Sequence, residues 1–326
     1  MKPGVFVTRR LPRGAMNVLE EQFDLESNSY DRVLTRGELL DRVRGKDGLL
    51  PLLTDRIDGE VLDAAGPRLK IVANYAVGYN NIDVGAATSR KIAVTNTPGV
   101  LTDTTADLAM ALLLAVTRRI VVSDAYARAG KYTSWAPELL LGVDVHHKTL
   151  GIFGLGRIGY ALAKRAGGFD MRILYHNTHR ADPEMERRVG AEYVSKERLL
   201  EQSDFISIHM PFNKDTHHFI GADELAAMKR TAFLINTARG ELIDEKALVK
   251  ALQKGLIAGA GLDVFENEPR IEPGLTQMEN VVILPHIGSA SIETRTKMGL
   301  VAAENLIALL VHGTRPPNCL NPEIFD

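Results

Sequence analysis

The fold is decided by the segment Lys148-Thr-Leu-Gly-Ile-Phe-Gly-Leu-Gly-Arg-Ile-Gly159, near the middle of the 326-residue chain. Its first half predicts a short buried strand, and the spacing of apolar residues from Ile158 onward predicts a helix. Glycines at positions 154, 156 and 159 suit the turn between them. They permit a sharp bend, leave backbone amides at the helix N-terminus open to a phosphate, and let the helix pack against the strand.

A glycine motif of this kind is weak evidence by itself, because the chain contains 28 glycines. Here the strand before the turn and the helix after it supply the context that a dinucleotide-binding motif requires. The segment therefore predicts a dinucleotide-binding domain with a Rossmann fold. The predicted cofactor contacts in this turn are Gly154, Leu155, Gly156, Arg157, Ile158 and Gly159.

The position of this motif leaves room for a second domain before it. Strand-like and helix-like segments alternate from the N-terminus, with strands predicted at residues 5–8, 48–50, 70–73 and 92–94. One long helix is predicted from Thr102 or Asp103 to about Ala129, and a last helical segment at 289–311 is expected to fold back onto the first domain.

The predicted fold class is therefore α/β, with two doubly wound parallel sheets. A Rossmann domain at residues 100–288 is inserted into a smaller flavodoxin-like substrate domain, which is formed by residues 1–99 and 289–326.

Composition excludes several classes of protein. A net charge of -2 without a basic run argues against nucleic acid, and the one cysteine, Cys319, allows no internal disulfide and fits a reducing compartment. The start of the chain lacks the apolar core of a signal peptide, and the apolar stretch at 106–116 is too short to span a bilayer. We expect a cytoplasmic protein without membrane contact.

Three polar residues follow predicted buried strands of the second domain. They are Arg239 in Asn236-Thr-Ala-Arg-Gly240, Glu268 in Gly261-Leu-Asp-Val-Phe-Glu-Asn-Glu-Pro269, and His286 in Leu284-Pro-His-Ile-Gly-Ser289. Ligands of open parallel sheets bind beyond the carboxyl ends of the strands, so these side chains are expected to converge on one cleft.

These segments together resemble the D-isomer-specific 2-hydroxyacid dehydrogenases. The resemblance extends over essentially the whole chain and rests on residues 75–83, 96–107, 149–159, 236–240, 260–269 and 285–290. Within that family, residues 144–150 and 318–322 look most like the glyoxylate/hydroxypyruvate reductases, including those that also accept 2-ketogluconate.

The resemblance implies a role for each of the three polar residues. Arg239 would bind the substrate carboxylate with its planar fork of donors and polarise the 2-keto oxygen. His286 would donate a proton to that oxygen as hydride reaches the carbon, and Glu268 would orient the imidazole and favour its charged form. The backbone amides of Val77 and Gly78 would also hold the carboxylate.

The resemblance further implies contacts to the cofactor and to a partner subunit. Asp263 would hold the nicotinamide carboxamide, and the other expected cofactor contacts are Thr105, Thr237, Ala238 and Gly288. Trp135, the single tryptophan, is expected to reach the substrate site of a partner subunit in a homodimer, with an ordinary dimer contact as the alternative.

The choice of cofactor depends on the end of the second strand of the Rossmann domain. Enzymes that use NAD place an acid about 20 residues after the glycine motif. This chain has Tyr175-His-Asn-Thr-His-Arg180 there, with no acid before Asp182. Contacts to a 2′-phosphate are expected from His176, Asn177, Thr178 and Arg180, so NADP is predicted as the preferred cofactor and NAD as a possible one.

Two other functions stay open at this point. One is a binding protein of the corepressor type that senses NAD(P) without significant turnover, since such proteins can keep the same three polar residues. The other is a metal hydrolase built on the nine histidines, which include the pairs His146-His147 and His217-His218. Neighbouring residues in a strand point to opposite faces, and no metal-binding spacing of histidines occurs, so no metal site is predicted.

Overall fold

The structure is a computed structural model that describes residues 2–326. The strands are β1 (Gly4–Val7), β2 (Asp24–Ser27), β3 (Gly48–Leu50), β4 (Ile71–Ala73), β5 (Ala93–Thr95), β6 (Thr149–Phe153), β7 (Arg172–His176), β8 (Ala191–Tyr193), β9 (Phe205–Ile208), β10 (Phe233–Asn236), β11 (Gly259–Leu262) and β12 (Val281–Ile283). The α-helices are α1 (Arg13–Gln22), α2 (Arg36–Arg42), α3 (Gly59–Ala65), α4 (Val84–Ser89), α5 (Thr102–Thr117), α6 (Ile120–Arg128), α7 (Arg157–Gly167), α8 (Pro183–Val189), α9 (Lys196–Gln202), α10 (Ala222–Ala227), α11 (Glu245–Gln253) and α12 (Ile292–Leu310).

These elements form two compact units. One unit comprises the residues up to Leu101 together with Ser289–Asp326, and the other comprises Thr102–Gly288. In the described part of the chain, no helix is both long enough and apolar enough to cross a membrane.

The first unit contains a five-stranded parallel sheet in the order β2-β1-β3-β4-β5. The three central strands are almost entirely apolar and buried. Helices α1 and α12 pack against each other, and they approach closely at Gly299, where a Cβ atom would lie 2.4 Å from the Cβ of Ala15. The last helix of the chain therefore completes the core of the unit that the N-terminus begins.

The second unit contains a seven-stranded parallel sheet in the order β12-β11-β10-β9-β6-β7-β8. The strand order reverses between β6 and β9, which is where ligands bind in doubly wound folds. Strands β9, β10 and β11 are buried on both faces, as expected of a parallel sheet covered by helices. The predicted fold class is confirmed: both sheets are parallel and doubly wound.

The single long helix predicted from Thr102 or Asp103 to about Ala129 is wrong. The chain forms α5 and α6 instead, because Arg119 adopts a left-handed conformation with φ of 52° that interrupts the helical path. Just before the break, the Thr117 hydroxyl donates a hydrogen bond to the carbonyl of Leu113 at 2.7 Å.

Two strands were not predicted from the sequence, β2 and β8. Each lies at an edge of its sheet, and most of their residues are half-exposed or exposed. An edge strand of this kind lacks the run of buried apolar residues by which the central strands were found.

Candidate active site

The three polar residues singled out in the sequence lie at one edge of the second sheet. Arg239 follows β10, Glu268 lies in the loop after β11, and His286 lies in the loop after β12. These strands are neighbours and parallel, so the loops leave the sheet on the same side. The topology thus brings together residues that are 47 positions apart in the chain.

His286 and Glu268 form a direct pair. The distance from His286 Nδ1 to Glu268 Oε2 is 2.8 Å, and the two side chains are 27% and 30% exposed. An ionised carboxylate can only accept, so this contact places a hydrogen on Nδ1 and leaves Nε2 as the atom that exchanges a proton with a ligand.

The carboxylate of Glu268 is held in its charged form. Burial raises the pKa of Glu268, but the hydrogen bond and charge of His286, the amide of Phe265 and the charge of Arg239 together outweigh burial and leave that pKa below its usual value. The Phe265 amide donates to Glu268 Oε1 at 3.1 Å, which also fixes the rotation of the carboxylate.

Asp263 shapes the loop that carries His286. The Asp263 carbonyl accepts from the His286 amide at 2.9 Å, and its carboxylate accepts from the amides of Ile287 and Gly288 at 2.7 Å each. These bonds hold His286 at a positive φ of 54°. Burial raises the pKa of Asp263 in spite of its two amide partners. The contact between Asp263 and the nicotinamide stays a prediction.

Arg239 is positioned by the turn after β10. The Asn236 side chain donates to the Arg239 carbonyl at 2.8 Å and accepts from the Ala238 amide at 3.0 Å. Arg239 Nη1 donates to the Ala238 carbonyl at 2.6 Å, and burial lowers the pKa of the guanidinium. Asn236 was not singled out in the sequence, although an asparagine at a strand end that precedes a tight turn is a usable signal.

The next residue, Gly240, explains how this turn meets the loop of Glu268. A Cβ atom at Gly240 would lie 1.8 Å from the carbonyl carbon of Phe265. Only glycine therefore allows the two backbones to approach so closely.

The glycine turn after β6 has the geometry of a phosphate-binding loop. Gly154 has φ of +99°, and a Cβ atom there would lie 2.7 Å from the backbone of His209 and Met210. At Gly159 a Cβ atom would lie 2.2 Å from the Gly154 carbonyl oxygen. Gly156, the residue before α7, has no atom within 4 Å of the corresponding point, so that side of the turn is open.

Three further observations concern residues that are expected to contact the dinucleotide. The hydroxyl of Thr237 is buried and has no hydrogen-bond partner within the described residues, which is unusual for a buried polar atom. The amide of Leu155 donates to Asn177 Oδ1 at 2.7 Å, so the end of β7 supports the glycine turn. Thr105 donates to the Gly288 carbonyl at 3.2 Å and so lies against the His286 loop.

Residues at and after the end of β7 contact an acid that was not singled out in the sequence. Glu186, in α8, accepts two hydrogen bonds of 2.8 Å from Arg180 and one from the Tyr175 hydroxyl. The Arg180 bonds and the Tyr175 bond lower the pKa of Glu186 to about 2. The predicted phosphate ligand Arg180 is therefore engaged in an ion pair.

The other predicted contacts at the end of β7 differ in their surroundings. His176 Nδ1 lies 2.9 Å from the Val194 carbonyl, and its ring stacks on Tyr193 with an angle of 10° between the planes. Thr178 is exposed.

In the first unit, the loop with the predicted carboxylate-binding amides is held by asparagines. Asn96 donates to the Val77 carbonyl at 2.8 Å, and Asn74 donates to the Gly78 carbonyl at 2.9 Å. Across residues 2–326, neither the amide of Val77 nor that of Gly78 donates a hydrogen bond. Two donors are thus left in a loop whose carbonyls are fixed, and the two asparagines are residues that the sequence analysis missed.

Contrary to the expectation from the sequence, His217 and His218 do not point to opposite faces of a strand. These residues do not lie in a strand: His217 ends a short 3-10 helix at Lys214–Thr216, and His218 has φ of 52°. Because of this turn, their rings stack with centroids 3.8 Å apart rather than pointing to opposite sides. At His146 and His147 the ring centroids are 5.0 Å apart and the planes are nearly perpendicular.

Comparison with known proteins identifies the family. Residues 110–288 match the family described as D-isomer specific 2-hydroxyacid dehydrogenase, NAD binding domain. The chain belongs to the D-isomer specific 2-hydroxyacid dehydrogenase family. A glyoxylate reductase of Korarchaeum cryptofilum is 54% identical over 99% of this chain and 97% of its own length, and one of Thermococcus litoralis is 53% identical over 100% and 98%.

Solved structures of similar proteins have the same fold. The TT0316 protein of Thermus thermophilus is 48% identical with a TM-score of 0.90, over 97% of this chain and 99% of that chain. An NADPH-dependent glyoxylate/hydroxypyruvate reductase of Sinorhizobium meliloti is 34% identical with a TM-score of 0.85, over 98% of each chain. The predictions of the family and of an oxidoreductase that uses a nicotinamide dinucleotide are confirmed.

Proposed function

We propose that the protein reduces a short 2-keto acid, such as glyoxylate, hydroxypyruvate or 2-ketogluconate, to the D-2-hydroxy acid with hydride from a nicotinamide dinucleotide. The observation that carries this proposal is the distance of 2.8 Å between His286 Nδ1 and Glu268 Oε2. The two residues follow β12 and β11, and β11 is the neighbour of β10, which Arg239 follows. Relatives that are 54% and 53% identical are named glyoxylate reductases, which agrees with a substrate of this class.

The residues of the site supply the proton and the binding groups for this reaction. Arg239 binds the substrate carboxylate and draws electron density from the 2-keto oxygen. The proton on His286 Nε2 passes to that oxygen while C2 receives hydride. The electron pair of the former N–H bond stays on Nε2, so the imidazole becomes neutral. Glu268 stabilises the charged ring before the transfer. When bound, the reduced dinucleotide supplies the hydride. In the first unit, the amides of Val77 and Gly78 are the proposed additional donors to the carboxylate.

The proposal is tested by steady-state kinetics of two variants. Replacing His286 with Gln should lower kcat by about 10² to 10⁴ with little change in KM, because it removes the general acid. Replacing Arg239 with Lys should raise KM for the keto acid, since Lys cannot form the two parallel hydrogen bonds of a guanidinium. An H286Q variant with full kcat would disprove the assignment of the proton donor.

The wild-type assay also separates the enzyme from a corepressor-like sensor of NAD(P). A sensor would bind NADPH without oxidising it in the presence of glyoxylate or hydroxypyruvate. The His286–Glu268 pair does not separate the two functions, because corepressor-type proteins can keep it, but the relatives named glyoxylate reductases favour turnover.

We further propose that NADP is the preferred cofactor and that NAD is also accepted. No carboxylate occurs between Tyr175 and Asp182. The hydroxyl of the exposed Thr178 and the side-chain amide nitrogen of Asn177 are donors suited to a 2′-phosphate. Arg180 contributes positive charge there, although Glu186 offsets part of it. Measuring kcat/KM with NADPH and with NADH tests this, and a tenfold preference for NADH would overturn it.

A cytoplasmic homodimer is the proposed state of the protein. The single cysteine, Cys319, is unpaired in the described structure, as expected in a reducing compartment. Several large apolar side chains between α6 and β6 are exposed in the single chain, and Trp135 is 78% exposed. Such a surface is typical of a region covered by a second subunit.

A further inference from the structure

A cluster of two histidines and a glutamate lies outside the catalytic residues in the second unit. His217 and His218 come from the segment after β9, and Glu266 comes from the loop after β11. Their candidate ligand atoms, one from each residue, all lie within 4.8 Å of one another. Residues from two separate loops are thus brought together by the fold.

Side-chain contacts and a backbone hydrogen bond fix the geometry of the cluster. His218 Nε2 lies 2.9 Å from Glu266 Oε1, and the His217 and His218 rings stack with 28° between their planes. The amide of His218 donates to the Glu241 carbonyl at 2.9 Å, which anchors the backbone at its positive φ. The two imidazoles therefore need no large rearrangement to face the same ligand.

The surroundings of Glu266 favour a positive ion. Its amide donates to Glu245 Oε1 at 2.8 Å, which brings a second carboxylate into contact with the same loop. Among the ion pairs of the described residues, Glu266 is paired with His218 alone.

We propose that His217, His218 and Glu266 bind a divalent transition-metal ion of the Zn²⁺ type. Two imidazoles and a carboxylate are a usual ligand set for zinc, with water as the fourth ligand. Mg²⁺ and Ca²⁺ prefer sites made of oxygen atoms only, so the histidines exclude them. Bonds of about 2.0 to 2.2 Å in a tetrahedron place ligand atoms roughly 3.4 Å apart. His218 and Glu266 would therefore separate by about 0.5 Å, and the ligand atoms that lie farthest apart, within 4.8 Å, would approach by at most about 1.4 Å.

The ion would connect two loops next to the catalytic pair without taking part in the reaction. Glu266 lies two residues before Glu268, and the Phe265 amide between β11 and Glu266 donates to the Glu268 carboxylate. An ion on Glu266 therefore ties the loop that positions Glu268 to the His217–His218 segment. We expect the bound ion to stabilise the folded enzyme, because it binds only the arrangement of loops found in the native state.

The experiment uses the full-length protein after chelator treatment and removal of the chelator. Titration calorimetry with Zn²⁺ should show one specific site per chain, and Co²⁺ should give the visible absorption of a tetrahedral complex. The single variants His217→Ala, His218→Ala and Glu266→Gln should each weaken binding by at least about tenfold. Zn²⁺ should raise Tm of the wild type but not of the variants.

The matched control is a double variant at the other adjacent histidines, His146→Ala with His147→Ala. His146 is also exposed and lies 3.9 Å from Asp144, but these residues do not form a cluster of three ligands. Binding that is lost in the three variants and kept in the control supports the site. No specific binding by wild type, or equal binding in E266Q and wild type, overturns it. Neither result depends on the proposed reductase activity.

Discussion

At the scale of single residues, His286 occupies a left-handed conformation that few residues other than glycine adopt. Asp263 compensates for this conformation with one carbonyl and two carboxylate contacts to residues 286–288. The ring is then oriented by Glu268. Two carboxylates thus have different tasks in one loop: one holds the backbone, and the other holds the imidazole.

Replacing Glu268 with Gln should separate these tasks. Because the His286–Glu268 contact holds the pKa of Glu268 below its usual value, the carboxylate supports activity and stability at neutral pH, and this support is lost only as pH falls through that lowered value. In the variant, the negative charge that favours the charged imidazole is absent at every pH. We expect kcat of E268Q to fall, but by a smaller factor than the roughly 10² to 10⁴ expected for H286Q. We also expect kcat to begin to fall at a lower alkaline pH in the variant than in the wild type.

The pH dependence of kcat from about pH 5 to 9 checks this prediction. A uniform loss of rate with an unchanged pH profile would mean that Glu268 has only a structural role. The variant Glu268→Asp, which keeps the charge, should recover the wild-type profile more fully than the rate.

At the scale of elements, glycine is needed for a different reason at each of the three positions in the turn from β6 into α7. Gly154 has a positive φ and lies against the backbone of the two residues that follow β9, Gly159 has no room for a methyl group, and Gly156 faces open space. The first and last are therefore required by the fold itself. Gly156 is required by the phosphate that we expect to bind there.

This difference predicts opposite results for two alanine variants. Gly156→Ala should leave the urea midpoint of unfolding nearly unchanged and raise the Kd for the dinucleotide by at least about tenfold, because the methyl group enters the space of the phosphate. Gly159→Ala should destabilise the protein by about 1 to 3 kcal/mol or more, because its Cβ would lie 2.2 Å from the Gly154 oxygen. Urea denaturation and a dinucleotide-binding titration measure the two effects. Unaltered cofactor affinity of G156A would show that the phosphates bind elsewhere.

At the scale of the whole molecule, the exposed large apolar side chains of the second unit are concentrated in α6 and in the segment between α6 and β6. Ile120, Val121, Tyr132, Trp135 and Leu141 are each more than half exposed. Helix α6 contains no buried residue, so it does not contribute to the core of a single chain. Both facts agree with a surface that a second copy covers.

Light scattering should accordingly give a mass of twice 35.8 kDa for the wild type. Replacing Trp135 and Leu141 with Ser should shift the protein toward the monomer, since burial of each side chain contributes about 1.5 to 3 kcal/mol. Tyr30, which is 61% exposed in the first unit, offers a control. Changing Tyr30 to Ser should leave the mass unchanged, and a monomeric wild type would contradict the proposed dimer.

The sequence by itself determined the alternation of strands and helices, the glycine turn and the three polar residues after buried strands. These features depend on local patterns: apolar periodicity, the conformations open to glycine, and the position of a residue at a strand end. It did not show the edge strands β2 and β8, whose apolar pattern is weak, or the break at Arg119, which depends on a single backbone angle.

Only the tertiary structure decided which of these residues are partners. The Glu268–His286 contact spans 18 residues of sequence and the His218–Glu266 contact spans 48, and neither follows from local pattern. The same holds for Arg180, which the sequence assigned to a phosphate and the fold places on Glu186. The partner of each side chain depends on which loops lie next to each other at the edge of the sheet. Loops that are distant in sequence come together there only once the parallel sheet has formed.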